Sequence, residues 1–193
     1  MTDGLGGVDV ALDAAGRGDA QALAVVWRAH QPLLLRYLRG RGLDDPEGLT
    51  TQIWIDAARN LPAFRGDGDD FRAWLFTIAH RRVVDARRQA SRQVAAASLD
   101  ELHETAGPAM TPGADDAYDD QAAGQRALDL VASLPDSMRE AVLLRVVADL
   151  SVAETAAVMG VSAANVRVLV HRGLRRLEQQ LTGEPARKLA VAV

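Results

Sequence analysis

From Ser151 to Leu181 each local signal agrees with the next, and the stretch reads as a helix-turn-helix. Ser151 caps a first helix, and Glu154 three residues later completes a capping box. Gly160 suits the left-handed residue that ends that helix. Ser162 caps a second helix, whose Val166, Val170, Leu174, Leu177 and Leu181 recur at helical spacing and are expected to be its buried stripe. The other side carries Asn165, Arg167, His171, Arg172 and Arg175. An amide and several guanidinium groups on the exposed side of a second helix suit major-groove reading. Asn165 fits adenine and Arg167 fits guanine, while Ala164 and Val168 are placed for thymine methyl groups. His171, Arg172 and Arg175 are expected to meet phosphates, which position without specifying. Together with Ser162 these form the expected duplex-reading set. A helical hairpin that binds a protein is the competing reading of such a pattern.

Composition narrows the rest. The chain has no cysteine, which excludes disulfides and thiolate metal sites and suits a cytoplasmic location. Its apolar runs are too short to span a bilayer, so no membrane insertion is expected. The opening Met-Thr-Asp-Gly-Leu-Gly-Gly does not resemble a signal peptide. Sparse aromatic residues and abundant alanine favour an all-α protein. A net charge of −4 looks wrong for a nucleic-acid binder until it is divided along the chain. Residues 17–92 hold 13 arginines against nine acids, and residues 126–181 hold seven against six. Residues 1–16 and 93–125 hold three and seven acids with no lysine or arginine. Phosphate affinity follows the local patch more than the sum.

The predicted organisation is two small helical domains joined by a flexible acidic linker. Residues 1–16 are a flexible tail, 17–92 the first domain, 93–125 the linker, 126–181 the second domain and 182–193 a C-terminal tail. In the first domain Leu23, Val26, Trp27, Leu34, Tyr37 and Leu38 form an apolar stripe that Pro32 should break or kink. Asp45-Pro46 opens a second helix, with Leu49, Ile53 and Ala57 on one face. Arg65–Asp70 reads as a turn-rich loop, and a third helix runs from Phe71 to Arg88. In the second domain Asp136 is expected to cap a helix, and Met138, Val142, Val146 and Val147 to pack on the helix-turn-helix. The acidic linker mimics nucleic acid inside a basic channel or is a solvated spacer; composition does not distinguish these.

With these pieces in order, the chain resembles the extracytoplasmic-function group of the bacterial sigma-70 family. Arg17-Gly-Asp-Ala20 with the stripe to Tyr37, Phe64-Arg-Gly-Asp67, Phe71-Arg-Ala-Trp-Leu-Phe-Thr-Ile-Ala79 and Val84-Asp-Ala-Arg-Arg88 are similar to region 2. Leu134-Pro135, Arg139-Glu-Ala-Val-Leu-Leu144 and Leu150-Ser-Val-Ala-Glu-Thr-Ala156 are similar to region 4. The resemblance implies an alternative sigma factor that is not itself an enzyme and needs no cofactor or metal. Its implied partners are core RNA polymerase (the beta and beta-prime subunits), promoter DNA in duplex and single-stranded form, and an anti-sigma factor. Region 4 would read the −35 element, and region 2 would recognise and melt the −10 element.

The resemblance also implies site residues. Arg65, Gly66, Asp67 and Asp70 lie in the family's base-capturing loop. Arg81, Arg82, Arg87 and Arg88 form a strip for the backbone of the melted strand, with Arg81 standing where the family commonly has asparagine. Phe71 beside the loop is a candidate for stacking an unpaired base, although its spacing from Trp74 and Ile78 also fits a core. Leu49, Gln52, Ile53, Asp56 and Asn60 lie on the helix the family uses to bind core polymerase. There Gly48, Thr51 and Gln52 replace the acidic and Gln-Glu pairs common in the family.

A catalytic reading finds no support. The four histidines fall in separate segments, with no HExxH pair, phosphate loop or GxSxG. The remaining alternatives are a helix-turn-helix repressor or activator acting without polymerase, and a protein-interaction module.

Overall fold

The structure, a computed structural model, describes residues 3–97 and 117–190. Among them it holds helices and no strand. These are α1 (Asp3–Gly16), α2 (Ala20–Gly40), α3 (Pro46–Asn60), α4 (Gly68–Ala97), α5 (Ala117–Ala132), α6 (Asp136–Val142), α7 (Val152–Met159) and α8 (Ala163–Ala190). A 3₁₀ turn, Leu61–Ala63, follows α3, and a π turn, Leu143–Val147, follows α6.

The helices begin where short polar side chains satisfy free backbone N–H groups. Asp19 accepts from Gln21 N (2.8 Å) and Ala22 N (3.1 Å), and Asp45 accepts from Gly48 N (2.8 Å) just ahead of Pro46. Pro32 does not break α2, which continues from Ala20 to Gly40. Proline removes one donor from the ladder, and burial of Val26, Leu34, Tyr37 and Leu38 on one face outweighs that loss. Trp27, expected in this stripe, is 43% exposed because α2 turns it away from the core.

Residues 3–16, expected as a tail, form a helix. Ala11, Leu12 and Ala15 are buried on one side of α1, which packs along α2 and touches α4 and the 3₁₀ turn. Both ends of the expected linker are helical instead. Residues 93–97 belong to α4, residues 117–125 open α5, and residues 98–116 lie outside those described. At the other end α8 runs on through residues 182–190, where a tail was expected.

The two expected domains share a buried cluster. Leu34, Tyr37, Leu38, Phe71, Leu75, Phe76, Ala79 and Val83 from the first half join Leu143, Leu144, Ala148, Leu150 and Val158 from the second. The π turn and α5 lie on α2, and α7 lies on α4. Gly40 permits this approach, since a Cβ there would stand 2.6 Å from Leu143 Cδ2.

Within the second half α8 crosses α6 at Gly173, where a Cβ would meet Val142 Cγ2 at 2.7 Å. The inner seam of α8 is therefore the buried Val166 and Gly173 with the half-buried Val170 and Leu177. Val166, Val170 and Leu177 keep their expected inner places, but Gly173 replaces Leu174 in the seam, and Leu174 and Leu181 are 45% and 57% exposed. Val146, expected to pack on the helix-turn-helix, is 61% exposed, whereas Val142 is buried. Asp136 is the first residue of α6 and makes no side-chain cap there; arginines take its carboxylate.

Candidate nucleic-acid interface

The helix-turn-helix is built from its own caps. Ser151 Oγ accepts from Glu154 N (3.1 Å), and Glu154 Oε2 accepts from Ser151 N (2.5 Å), closing the capping box. Gly160 ends α7 at φ 66°, a left-handed conformation that costs glycine little. Ser162 Oγ accepts from Asn165 N (3.2 Å) and starts α8. With Val166 and Gly173 turned inward, Ser162, Ala164, Asn165, Arg167, Val168, His171, Arg172 and Arg175 are all exposed. Four of these have cationic or titratable ring side chains. The row offers a guanidinium and an amide to base edges, with further cations placed for phosphates.

The expected region-2 residues divide. Helix α4 begins at Gly68, so Arg65, Gly66 and Asp67 form the loop proper, while Asp70 lies in the first turn. Asp67 Oδ1 accepts from Asp69 N (3.0 Å) and Asp70 N (2.9 Å), and Asp70 Oδ2 accepts from Asp67 N (3.3 Å). Arg65 is exposed, its Nη1 donating to Pro62 O (2.9 Å). Phe71 is not available for stacking. It is 1% exposed, held edge-on by His30 (ring centres 5.1 Å apart) and by Phe64 (5.5 Å). Its helical register puts it on the inner side of α4, with Leu75 and Val83.

Of the arginine strip, Arg81 and Arg88 are exposed. Arg82 is held by Asp56 through Nε at 2.6 Å. Arg87 pairs with Asp136 and donates from Nη2 to Arg41 O (2.8 Å). These two are spent inside the protein in this arrangement, because α4 faces α3 on one side and α6 on another.

On α3, Gln52 and Asn60 are exposed, Leu49 and Asp56 are half-buried, and Ile53 is fully buried and unavailable to a partner. Leu49 and Gln52 share an open depression of about 500 Å³ with Leu43, Ala86, Arg87 and Ala90. A second, apolar depression between α2 and α3 is lined by Leu23, Ala24, Trp27, Trp54 and Ala58. The exposure of Trp27, which lines this depression, and of Ile55 on α3 was missed from sequence. Helical spacing had placed Trp27 inside.

A polar cluster between the two halves was also missed. Arg41 and Glu140 are 2% and 3% exposed, with Arg41 Nη1 2.6 Å from Glu140 Oε2 in charge contact rather than a well-angled hydrogen bond. Tyr37 donates its hydroxyl to Glu140 Oε1 (2.6 Å), and His80 Nδ1 lies 3.1 Å from the same oxygen. Asp136 adds a second carboxylate, 3.2 Å from Arg41 Nη1. Burial, reinforced by the Glu140 charge, raises the Tyr37 hydroxyl pKa well above its usual value and keeps it protonated as a donor. Desolvation pushes the Asp136 carboxyl up. The hydrogen bond from Arg87 and the charges of Arg41 and Arg87 outweigh it and hold the pKa below the ordinary value.

Among the described residues no group of three or more His, Asp or Glu side chains is placed to hold a metal. No single helix there is long and apolar enough to cross a membrane.

Residues 26–93 match the family model described as Sigma-70 region 2, and residues 124–177 match Sigma-70, region 4. The ECF RNA polymerase sigma factor SigD of Mycobacterium tuberculosis is 34% identical over 183 residues, covering 90% of this chain and 84% of that protein. The ECF RNA polymerase sigma factor ShbA of Streptomyces griseus is 34% identical over 172 residues, covering 84% and 89%. Among solved structures, CnrH in complex with the cytosolic domain of CnrY has the same fold, with a TM-score of 0.64 at 21% identity, covering 92% of this chain and 98% of that one. RpoE of Bartonella quintana, in complex with the anti-sigma factor NepR, has a TM-score of 0.61 at 24% identity, covering 84% and 95%.

Proposed function

The chain belongs to the sigma-70 family, as an alternative sigma factor of the extracytoplasmic-function group, and from that premise we propose that its two halves divide promoter recognition between them. The observation that carries this is the exposed row of α8, where Asn165, Arg167, Val168, His171, Arg172 and Arg175 face solvent behind a fully capped turn. Asn165 and Arg167 read base edges of the −35 element, and His171, Arg172 and Arg175 grip its phosphates. Arg65, Gly66 and Asp67 receive an unpaired base of the −10 element, and Arg81 and Arg88 follow the strand backbone. Gln52, Asn60 and the half-buried Leu49 contribute to contact with core polymerase. The chain supplies recognition, and the polymerase supplies catalysis. An anti-sigma factor is a further partner, in keeping with the complexes formed by CnrH and RpoE.

This division requires the halves to part. The two elements lie about 25 base pairs apart, or roughly 85 Å of duplex at 3.4 Å per pair. A folded chain of this size has a radius of gyration of only about 16 Å. Promoter engagement therefore separates Arg41 from Glu140 and releases Arg87 from Asp136, returning Arg87 to the strip on α4.

The test is run-off transcription from a library of promoter fragments with core polymerase. The reading expects transcripts that core alone does not give. Mobility shifts of duplex DNA without transcripts would instead mark a regulator acting without polymerase.

A further inference from the structure

The N-terminal helix reaches the segment that receives the melted strand. We infer that Asp9 is a positioning residue for residues 65–70, holding them in the geometry that receives a −10 base. This rests on the reading of that segment as the base-capturing element.

Four successive backbone N–H groups open α4, and each has a carboxylate partner. Asp67 N is taken by Asp70, and Asp69 N and Asp70 N are taken by Asp67. The fourth, Gly68 N, lies beyond these local partners and donates to Asp9 Oδ1 at 2.7 Å, across 59 residues of chain. Gly68 is buried beneath α1, where a Cβ would stand 3.0 Å from that oxygen and 3.7 Å from Val8 Cγ1.

Unsatisfied N–H groups at a helix start attract anions, DNA phosphates included. With all four satisfied from within the protein, the loop need not rearrange around a phosphate at this point. Arg65, whose guanidinium turns back to the Pro62 carbonyl, and Gly66 are left as its exposed parts. The anchor of α1 is separate from this bond. Ala11, Leu12 and Ala15 are buried on the first turns beyond Asp9 and hold the helix independently of its carboxylate. Removing the carboxylate therefore loosens the loop without detaching α1.

The experiment uses holoenzyme assembled from the full chain and core polymerase, on a promoter fragment that the wild-type protein melts. Strand opening is followed by permanganate reactivity of unpaired thymines. Asp9→Ala is expected to slow opening by about tenfold or somewhat more, the low end for a part-buried hydrogen bond to a charged group. It should leave core binding and duplex −35 affinity unchanged. Asp9→Asn, which keeps an acceptor oxygen, should restore most of the rate. Faster hydrogen exchange at the Gly68 amide in Asp9→Ala should report the lost bond directly, and thermal unfolding monitors the fold.

Opening slowed by Arg65→Ala but unaffected by Asp9→Ala would overturn the inference and leave the loop reading standing. Opening indifferent to Arg65→Ala would overturn both. Faster opening in both Asp9 variants would also overturn it, since the carboxylate would then be competing with DNA for the helix start. Equal losses of −35 affinity and opening in Asp9→Ala would make the residue merely structural.

Discussion

Glu140→Ala tests whether the two halves are held together in solution as they are in the structure. The carboxylate is 3% exposed, 2.6 Å from the guanidinium of Arg41, which is 2% exposed, and it accepts the Tyr37 hydroxyl at 2.6 Å. Removing one member of a buried ion pair costs about 3–5 kcal/mol, because the other charge stays buried without compensation. An unsatisfied buried hydroxyl adds about 1–3 kcal/mol. The two costs do not add in full, since both act through one carboxylate. Asp136 also remains 3.2 Å from Arg41 Nη1 as a partial, solvent-screened replacement. The net expectation is a loss of about 3 kcal/mol. For a chain of this length that corresponds to a fall in Tm of roughly 6–12 °C. Urea denaturation followed by circular dichroism measures it. The double variant Arg41→Met/Glu140→Leu should recover most of the loss, because a buried ion pair is often replaceable by apolar side chains of similar size. A Glu140→Ala midpoint within about 0.5 kcal/mol of wild type, the scatter of ordinary surface substitutions, would refute the reasoning. Arg41 and Glu140 would then be hydrated, and the halves already apart in the free protein.

Gly173→Ala should destabilise the second half by about 1–3 kcal/mol through overpacking against Val142, despite a gain of up to about 1 kcal/mol in helix propensity; urea denaturation gives the sign. His30 is buried, with Nδ1 2.8 Å from Val26 O, and desolvation, followed by the charge of Arg72, lowers its pKa below 6.5 despite that backbone contact. Its contribution to stability is full above pH 6.5 and is lost as the pH falls toward the lowered folded value. Denaturation series from pH 7.5 to 5 should therefore show a shallower loss in His30→Gln than in wild type. Arg167→Ala should relax base preference at one position of the −35 element, costing about 1–3 kcal/mol there. Arg175→Ala should weaken all sequences alike and reduce the salt slope; binding to a panel of duplexes separates the two.

The legible parts of this chain were those decided within a few residues of sequence. Ser151, Glu154, Gly160 and Ser162 act on backbone groups no more than three or four positions away, so their pattern specifies the turn without help from the rest of the fold. The exposed row from Asn165 to Arg175 followed from the same local phase. Phase alone did not distinguish Leu174 from Gly173 as the seam residue. The close crossing of α6 selects the residue with no side chain, and no hydrophobicity pattern favours glycine.

Other features depended on partners far along the chain. Phe71 and Ile53 sit beside polar, functional-looking neighbours in sequence, but helix register turns both into the core. A tail with three early glycines became α1 because α2 and α4 offer apolar surface for Ala11, Leu12 and Ala15. Arg41 and Glu140, 99 positions apart, look like ordinary surface charges until folding buries them against each other.

Sequence by itself determined the helical class, the capped turn and the family, because these rest on contacts along the backbone or on motifs in a fixed order. Tertiary structure alone decided which arginines are free and which are held by carboxylates, where the N-terminal helix lies, and that the two halves share a charged, buried seam. Burial and ion pairing depend on distances between residues that the chain separates and only the fold brings together.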